Sequence, residues 1–182
     1  MSIEQEKFAG GVAVVTGAGA GIGKGFAQRL GEVGMHVVVT DVNLDAAEKV
    51  AAGIRTKGGK AEAMKVDVSI PSELDKLAET VFAKHGGVRV LVNNAGIETM
   101  GNSWEVSAER WEATLNINVH GVIHGCRAFI PRMLKSGNET WIANLASIGA
   151  FAQGYTMNAY TVTKHAVEAF TECLYLEMEQ IK

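Results

Sequence analysis

The chain has 182 residues, 47% of them hydrophobic and 20% charged, with a formal net charge of −3. That is enough apolar material for the sizeable core of a globular domain, and the slight acidic excess offers no basic patch for nucleic acid or an anionic membrane. No apolar run approaches the ~20 residues of a membrane-spanning helix, and no signal-peptide pattern opens the chain.

Strand and helix signals alternate along the chain with little left over. The β-branched run over 12–16 predicts a strand. The glycine-rich stretch Thr16-Gly17-Ala18-Gly19-Ala20-Gly21-Ile22-Gly23 follows, and helical periodicity over 22–33 comes next. A second strand over 36–41 ends at Asp41. Asn43 is the expected N-cap of a helix over 44–56, with Asp45 in its first turn. A strand over 61–66 follows, then Ser69 and Pro71 open a helix over 72–85. Gly58-Gly59 and Gly86-Gly87 come just past two helix ends, where glycine adopts the left-handed cap most easily. A strand over 89–93 leads into Asn93-Asn94-Ala95-Gly96. One helix is expected over 108–134, a strand over 140–145, and a last helix over 157–180. Repeated β–α units imply a parallel sheet covered on both faces: an α/β, Rossmann-like, doubly wound fold of three α/β/α layers in one domain. Cys126 and Cys173 form no CxxC pair and fall in helices, which suits reduced thiols in a cytoplasmic protein. His120 and His124 share a helical spacing that suits a metal, but no third ligand presents itself, so no metal site is expected.

Strand, glycine turn and helix together make a phosphate site. Missing side chains let backbone approach a pyrophosphate, and the helix N-terminus offers unpaired N–H groups to the anion. Asp41 lies twenty residues past Gly21, where a dinucleotide-binding unit places the acid that accepts hydrogen bonds from the adenosine ribose. A 2′-phosphate would meet its charge, and the neighbours Ala20 and Val42 carry no basic clamp, so NAD is expected rather than NADP. Near the other end, Tyr160 and Lys164 stand four residues apart, about one helical turn, so phenol and ammonium share a helix face. A phenol titrates near ~10 and is a poor base at neutral pH, whereas a nearby positive charge favours its ionised form. Tyr-x-x-x-Lys alone is weak; Ser147 thirteen residues upstream and the glycine turn give it meaning.

With these motifs assembled, the chain resembles the short-chain dehydrogenase/reductase family, in its compact, NAD-dependent, single-domain branch, over residues 8–182. The likeness rests on the T-G-x-x-x-G-x-G turn, Asp67-Val68, Asn93-Asn94-Ala95-Gly96, Asn118-Val119-His120-Gly121, Ser147, Tyr160 and Lys164, in the family's order. The extended branch usually carries T-G-x-x-G-x-x-G, which this chain does not. The resemblance implies hydride transfer between NAD(H) and a secondary alcohol or ketone, with Asn118, Ser147, Tyr160 and Lys164 as the catalytic set. Tyr160 would exchange the hydroxyl proton, Lys164 would act on the phenol and on the nicotinamide ribose, Ser147 would hold the reacting oxygen, and Asn118 would hold a proton-relaying water. Cofactor binding would fall to Gly17, Ala20, Gly21, Ile22, Gly23, Asp41, Asp67, Val68, Asn94, Ala95 and Gly96, with Tyr160 and Lys164. The chain departs from the family at Ala146, where serine is frequent, and at Trp141, where a small or β-branched residue is usual.

Family members normally continue past the Tyr–Lys helix with two more strands, a Pro-Gly turn over the nicotinamide and a mobile substrate loop. The chain therefore reads as lacking the last strands of the fold, with an uncovered fifth strand and a pocket short of one wall. Ile148, Phe151, Tyr155 and Met157 are expected to line that pocket and to suit an apolar alcohol or ketone. Relatives commonly dimerise through the helices over 108–134 and 157–180, so a homodimer is expected, with higher assembly in a longer form. Two alternatives stay open: an NADP-dependent ketone or oxoacyl reductase, which Asp41 weakens, and a truncated, non-catalytic nucleotide-binding or assembly protein.

Overall fold

Hydrophobic β-branched runs build the centre of the molecule. In the computed structural model, which describes residues 3–181, Val12–Val15 (β1) and Val90–Asn93 (β4) are buried along their whole length. Strand β2 is His36–Asp41, β3 is Lys60–Lys65 and β5 is Trp141–Asn144. The five strands are parallel and ordered β3-β2-β1-β4-β5. Val14 lies level with Val38 on one side and Leu91 on the other, and Leu91 with Ile142. Parallel strands buried on both faces read as continuous apolar runs, which is what β1, β2 and β4 show.

Alternate residues of these strands feed two cores. Ala13, Val15, Val37, Val39 and Val92 pack under Gly21–Glu32 (α2) and Leu44–Thr56 (α3), whose buried positions include Ala27, Ala47, Val50 and Ile54. Val14, Val38 and Leu91 pack under Pro71–His85 (α4) and Gly121–Ser136 (α6), against Leu74, Leu77, Val81, Phe129 and Met133. Each fully buried side chain of this size contributes about 1.5–3 kcal/mol relative to exposure, so the central strands anchor the fold. Ile3–Phe8 is α1, Ala108–Leu115 is α5, and Asn158–Glu179 is α7. A polar chain fixes the β4–β5 end: Asn93 Nδ2 donates to Asn144 Oδ1 at 2.8 Å, and Asn144 Nδ2 donates to Thr171 Oγ1 of α7 at 3.0 Å. Cys126 of α6 lies beneath it, and burial pushes its thiol up to about 11.

The structure confirms a parallel sheet between two helical layers, with strand ends displaced by a residue from those expected. Asn43 caps α3 by accepting from the Ala46 N–H at 3.1 Å, and Gly58 and Gly86 take the left-handed conformation (φ 85° and 76°). Three local expectations need correction. Ser69 does not cap α4; Ile70 occupies that position, and the Ser69 hydroxyl instead donates to Asp67 Oδ1 at 2.6 Å. The single helix over 108–134 is α5 and α6 joined by a π-helical turn, Asn116–His120. The turn accompanies long-range contacts of Asn118 with Ile97 and Thr163, which sequence periodicity does not carry. Helix α1 was not foreseen, and it accounts for Trp141. Phe8 meets that indole edge-on at 4.9 Å, while Lys7 Nζ and Arg89 Cζ lie 4.7 and 5.2 Å from its ring centroid. Among the described residues β5 pairs only with β4, so its other edge is open.

Candidate active site

From β1 the chain proceeds to β2 on one side, and it later returns to place β4 on the other. The loops leaving β1 and β4 therefore diverge, and open α/β sheets bind ligands in the crevice so formed at the carboxyl ends of the strands. A cleft of about 760 Å³ lies there, lined by the glycine turn, the ends of β2 and β4, and the start of α7.

The glycine turn is held by close backbone packing. Gly17 has φ 60°, and a Cβ there would lie 2.7 Å from the Ala95 Cα. A Cβ on Gly23 would lie 2.4 Å from both the Gly17 carbonyl oxygen and Asn94 Nδ2. Asn94 clasps the turn: Nδ2 donates to the Thr16 and Gly17 carbonyls at 2.9 and 3.1 Å. Thr16 Oγ1 in return accepts from the backbone N–H groups of Asn94 and Ala95, at 3.0 and 3.1 Å. Gly21 (φ 54°) opens α2 with free space where a Cβ would stand. The N-cap, Ala20, supplies no side-chain acceptor, and no acid sits in the first turn. The leading N–H groups of α2 thus face the cleft without a side-chain partner, the arrangement that receives an anion.

Asp41, at the end of β2, turns its carboxylate toward this turn. Oδ2 accepts from the Gly19 N–H and Oδ1 from the Asn43 N–H, each at 2.9 Å. A carboxylate offers about four acceptor sites, so both oxygens retain capacity toward the cleft. Asp67 also accepts two hydrogen bonds, from the Ser69 N–H and hydroxyl, both through Oδ1. Val68 is buried, and its side chain packs closely on Gly121.

Helix α7 carries Tyr160 and Lys164 to the opposite wall. Lys164 is 5% exposed, and its Nζ donates to the Leu145 carbonyl at 2.6 Å and stands 5.5 Å from the Tyr160 ring centroid. Burial holds its pKa below the ordinary lysine value. Ser147 follows β5, where its Oγ accepts from the Gly149 N–H at 3.1 Å. Gly149 lies between the two oxygen-bearing side chains: a Cβ on it would be 3.5 Å from Ser147 Oγ and 3.7 Å from the Tyr160 ring. Asn118 differs from the rest, because it lies fully buried in the π turn and off the cleft wall. Its Oδ1 accepts from the Ile97 N–H at 2.8 Å, and its Nδ2 donates to the Ile97 carbonyl at 2.8 Å and to Thr163 Oγ1 at 3.0 Å. Both amide hydrogens are spent, while Oδ1 keeps one acceptor position.

The family model for short chain dehydrogenases matches residues 11–182. The chain belongs to the short-chain dehydrogenase/reductase family. A cyclohexanol dehydrogenase from Acinetobacter sp. is 36% identical over 176 residues, 96% of this chain and 70% of that protein. A short-chain dehydrogenase/reductase from Burkholderia phymatum, solved in complex with NAD, superposes with a TM-score of 0.94 at 36% identity, covering 96% of this chain and 62% of that one. A metagenomic short-chain oxidoreductase in complex with NADP gives 0.91 at 32% identity, covering 95% and 78%. The chain spans 28% of the length of a probable oxidoreductase from Mycobacterium bovis that it matches at 36% identity, and 70% of the cyclohexanol dehydrogenase.

Within the short-chain dehydrogenase cleft stand Gly17, Ala20, Gly21, Ile22, Gly23, Asp41, Asp67, Val68, Asn94, Ala95, Gly96, Ser147, Tyr160 and Lys164. Of the four residues expected to line a substrate pocket, only Met157 is on this wall; Ile148, Phe151 and Tyr155 face solvent, at 77%, 68% and 88% exposure. Thr16 and Thr163 were missed. Each sits inside a motif already singled out, but its asparagine partner lies 78 or 45 residues away, so no sequence signal finds it. Ile97, Glu98 and Ile117 also reach the wall, without any sequence signal.

Proposed function

We propose that this domain binds NAD(H) and exchanges a hydride with a secondary alcohol or ketone. The observation that carries this reading is the single continuous cleft with the uncapped α2 N-terminus and Asp41 at one end and Ser147, Tyr160 and Lys164 at the other. The residues fit a dinucleotide. The open space at Gly21 and the free N–H groups of α2 suit a pyrophosphate. Asp41 suits the adenosine ribose diol. The buried ammonium of Lys164 has one carbonyl partner and two N–H groups left for ribose hydroxyls. When bound, the nicotinamide ring supplies the hydride acceptor or donor.

The chain's own residues handle the proton and the geometry. In oxidation the Tyr160 oxygen takes the hydroxyl proton of the substrate; in reduction it returns that proton to the carbonyl oxygen. The Lys164 charge stabilises the negative charge that then develops on the phenol oxygen. Ser147 donates to the reacting oxygen and holds it beside Tyr160. Asn118 acts by position: it ties the π turn to Ile97 and to α7, and a Cβ on Gly96 would lie 3.3 Å from its Oδ1 and 3.6 Å from Lys164 Nζ. The direct test is a turnover screen across secondary alcohols with NAD and ketones with NADH. Tight cofactor binding without turnover of any of them would favour a nucleotide-binding role instead.

Cofactor choice follows from Asp41. A 2′-phosphate placed there would add repulsion between like charges, whereas a ribose diol gains hydrogen bonds, so NAD(H) should bind at least about tenfold more tightly than NADP(H). Titration calorimetry with both cofactors measures the ratio, and equal or tighter NADP(H) binding overturns this role for Asp41. Assembly is the other consequence of the family reading. Val162, Tyr175 and Leu176 of α7 and Leu134 of α6 are exposed apolar side chains on the helices proposed to pair across a two-fold axis. Light scattering at several concentrations should find a dimer, and a stable monodisperse monomer would refute that interface. Among the described residues no helix is long and apolar enough to cross a membrane.

A further inference from the structure

At the end of the sheet opposite the cleft, two strands and a helix bring together side chains that the proposed chemistry does not use. His36 opens β2. Glu62 of β3 is level with Val38, so it lies diagonal to His36 on the face covered by α4. His85 is the last residue of α4. His85 Nε2 is 2.6 Å from Glu62 Oε1, and His36 Nε2 is 3.5 Å from the same oxygen. The two imidazole rings are 4.4 Å apart between centroids. The three donor atoms all lie within 4.8 Å of one another, and all three side chains are largely sheltered, at 27%, 23% and 13% exposure for His36, Glu62 and His85. His36 Nε2 is buried, makes no hydrogen bond and points into this group.

We propose that His36, Glu62 and His85 form a binding site for a divalent transition metal of the zinc type, joining the end of α4 to β2 and β3. Two imidazole nitrogens and one carboxylate oxygen are the borderline donor set that zinc, cobalt and nickel prefer over calcium or magnesium. Metal–ligand bonds of ~2.0–2.2 Å in a tetrahedron put neighbouring donors about 3.3 Å apart. His36 and Glu62 are already close to that spacing. His85 gives up its hydrogen bond to Glu62 and withdraws by less than an ångström, leaving a fourth position for water. Lys84 Nζ bonds the other carboxylate oxygen, Oε2, which orients Oε1 toward the two rings while its charge opposes the cation. The bound metal replaces a buried unsatisfied nitrogen with a bond, so it stabilises the folded state over the unfolded one.

Cobalt tests this on the whole chain carrying no affinity tag. Titration with Co(II) should saturate at one ion per chain and produce the visible bands of a four-coordinate site. His85→Gln and Glu62→Gln should abolish saturable uptake, while His124→Gln, which disrupts the separate His120–His124 pair, should leave it unchanged. Zn(II) at small molar excess should raise the melting temperature of the wild type but not of His85→Gln. Since a charge-cluster variant can misfold, the wild type carries an independent readout: zinc should shield His36 and His85 from diethylpyrocarbonate, followed by peptide mass spectrometry. Absence of uptake, uptake that survives both site substitutions or disappears with His124→Gln, or unshielded His36 and His85 in the presence of zinc would each overturn the site. None of these readouts depends on hydride transfer, so the metal site and the enzymatic reading stand or fall separately.

Discussion

Tyr160→Phe should remove turnover by roughly 10²–10⁴-fold, the usual worth of a positioned acid or base, while cofactor affinity changes little. The substitution deletes one oxygen and leaves the ring, so packing at the start of α7 and the 5.5 Å approach of Lys164 to the ring survive. Only the group that carries the proton is gone. Lys164→Ala should behave differently, lowering both kcat and cofactor affinity, since the ammonium faces the phenol and the space proposed for the ribose. It also leaves the Leu145 carbonyl without its 2.6 Å donor. Lys164→Met, of similar length, separates this packing loss from the loss of charge. Steady-state kinetics beside direct binding of NADH resolve the pattern. Substantial turnover by Tyr160→Phe would contradict the assigned role, and intact cofactor binding by both Lys164 variants would remove the ribose from the account of that residue.

The legible parts of the fold are those where one physical pattern acts alone. Strands β1, β2 and β4 are buried on both faces, so their sequences are valine-rich, near-continuous apolar runs and their limits were read to within a residue. Asn43 and Gly86 were legible because a side-chain cap and a left-handed cap each demand particular residue types. The π turn at Asn116–His120 was not, since its cause is tertiary: Asn118 turns inward to bond Ile97 and Thr163, partners 21 and 45 residues away. Ser69 failed as a cap for a local reason instead. Asp67, two residues earlier, took its hydroxyl.

The site was legible as a set of motifs but not as a division of labour. The motifs and the family resemblance implied that Asp41, Ser147, Tyr160 and Lys164 share one site, and all four line one cleft. They did not separate the residues that face a ligand from those that hold the frame. Asn94 spends its side chain on the Thr16 and Gly17 carbonyls, and Asn118 spends both amide hydrogens inside the protein. The amide donors of both are thus spent on the frame, a division that needs the fold to become visible. The π turn adds weight to this reading, because such bulges recur where a helix must re-aim a residue at a functional site.

The second large effect is expected at the frame itself. Gly23→Ala adds one methyl group on α2, a change that in an open helix position would be neutral or stabilising. Here the new carbon would lie 2.4 Å from the Gly17 carbonyl oxygen and from Asn94 Nδ2, far inside van der Waals contact. The obstacle on one side is backbone, so the turn must move away from α2. Gly17 has no slack either, with φ 60° and the Ala95 backbone against it. Displacing the turn would lengthen both hydrogen bonds from Asn94 and pull the leading N–H groups of α2 out of line with the anion they are proposed to receive. A loss of NADH affinity on the order of 100-fold, about 2.7 kcal/mol, is the expected size. By contrast Gly25→Ala, at a helix position with open space around its Cβ, should bind like the wild type. Fluorescence titration of NADH against both variants, with circular dichroism to confirm that each folds, makes the comparison. Equal affinities would mean that the glycine turn yields without cost, and that the close packing of Gly17, Gly23 and Asn94 does not shape the cofactor site.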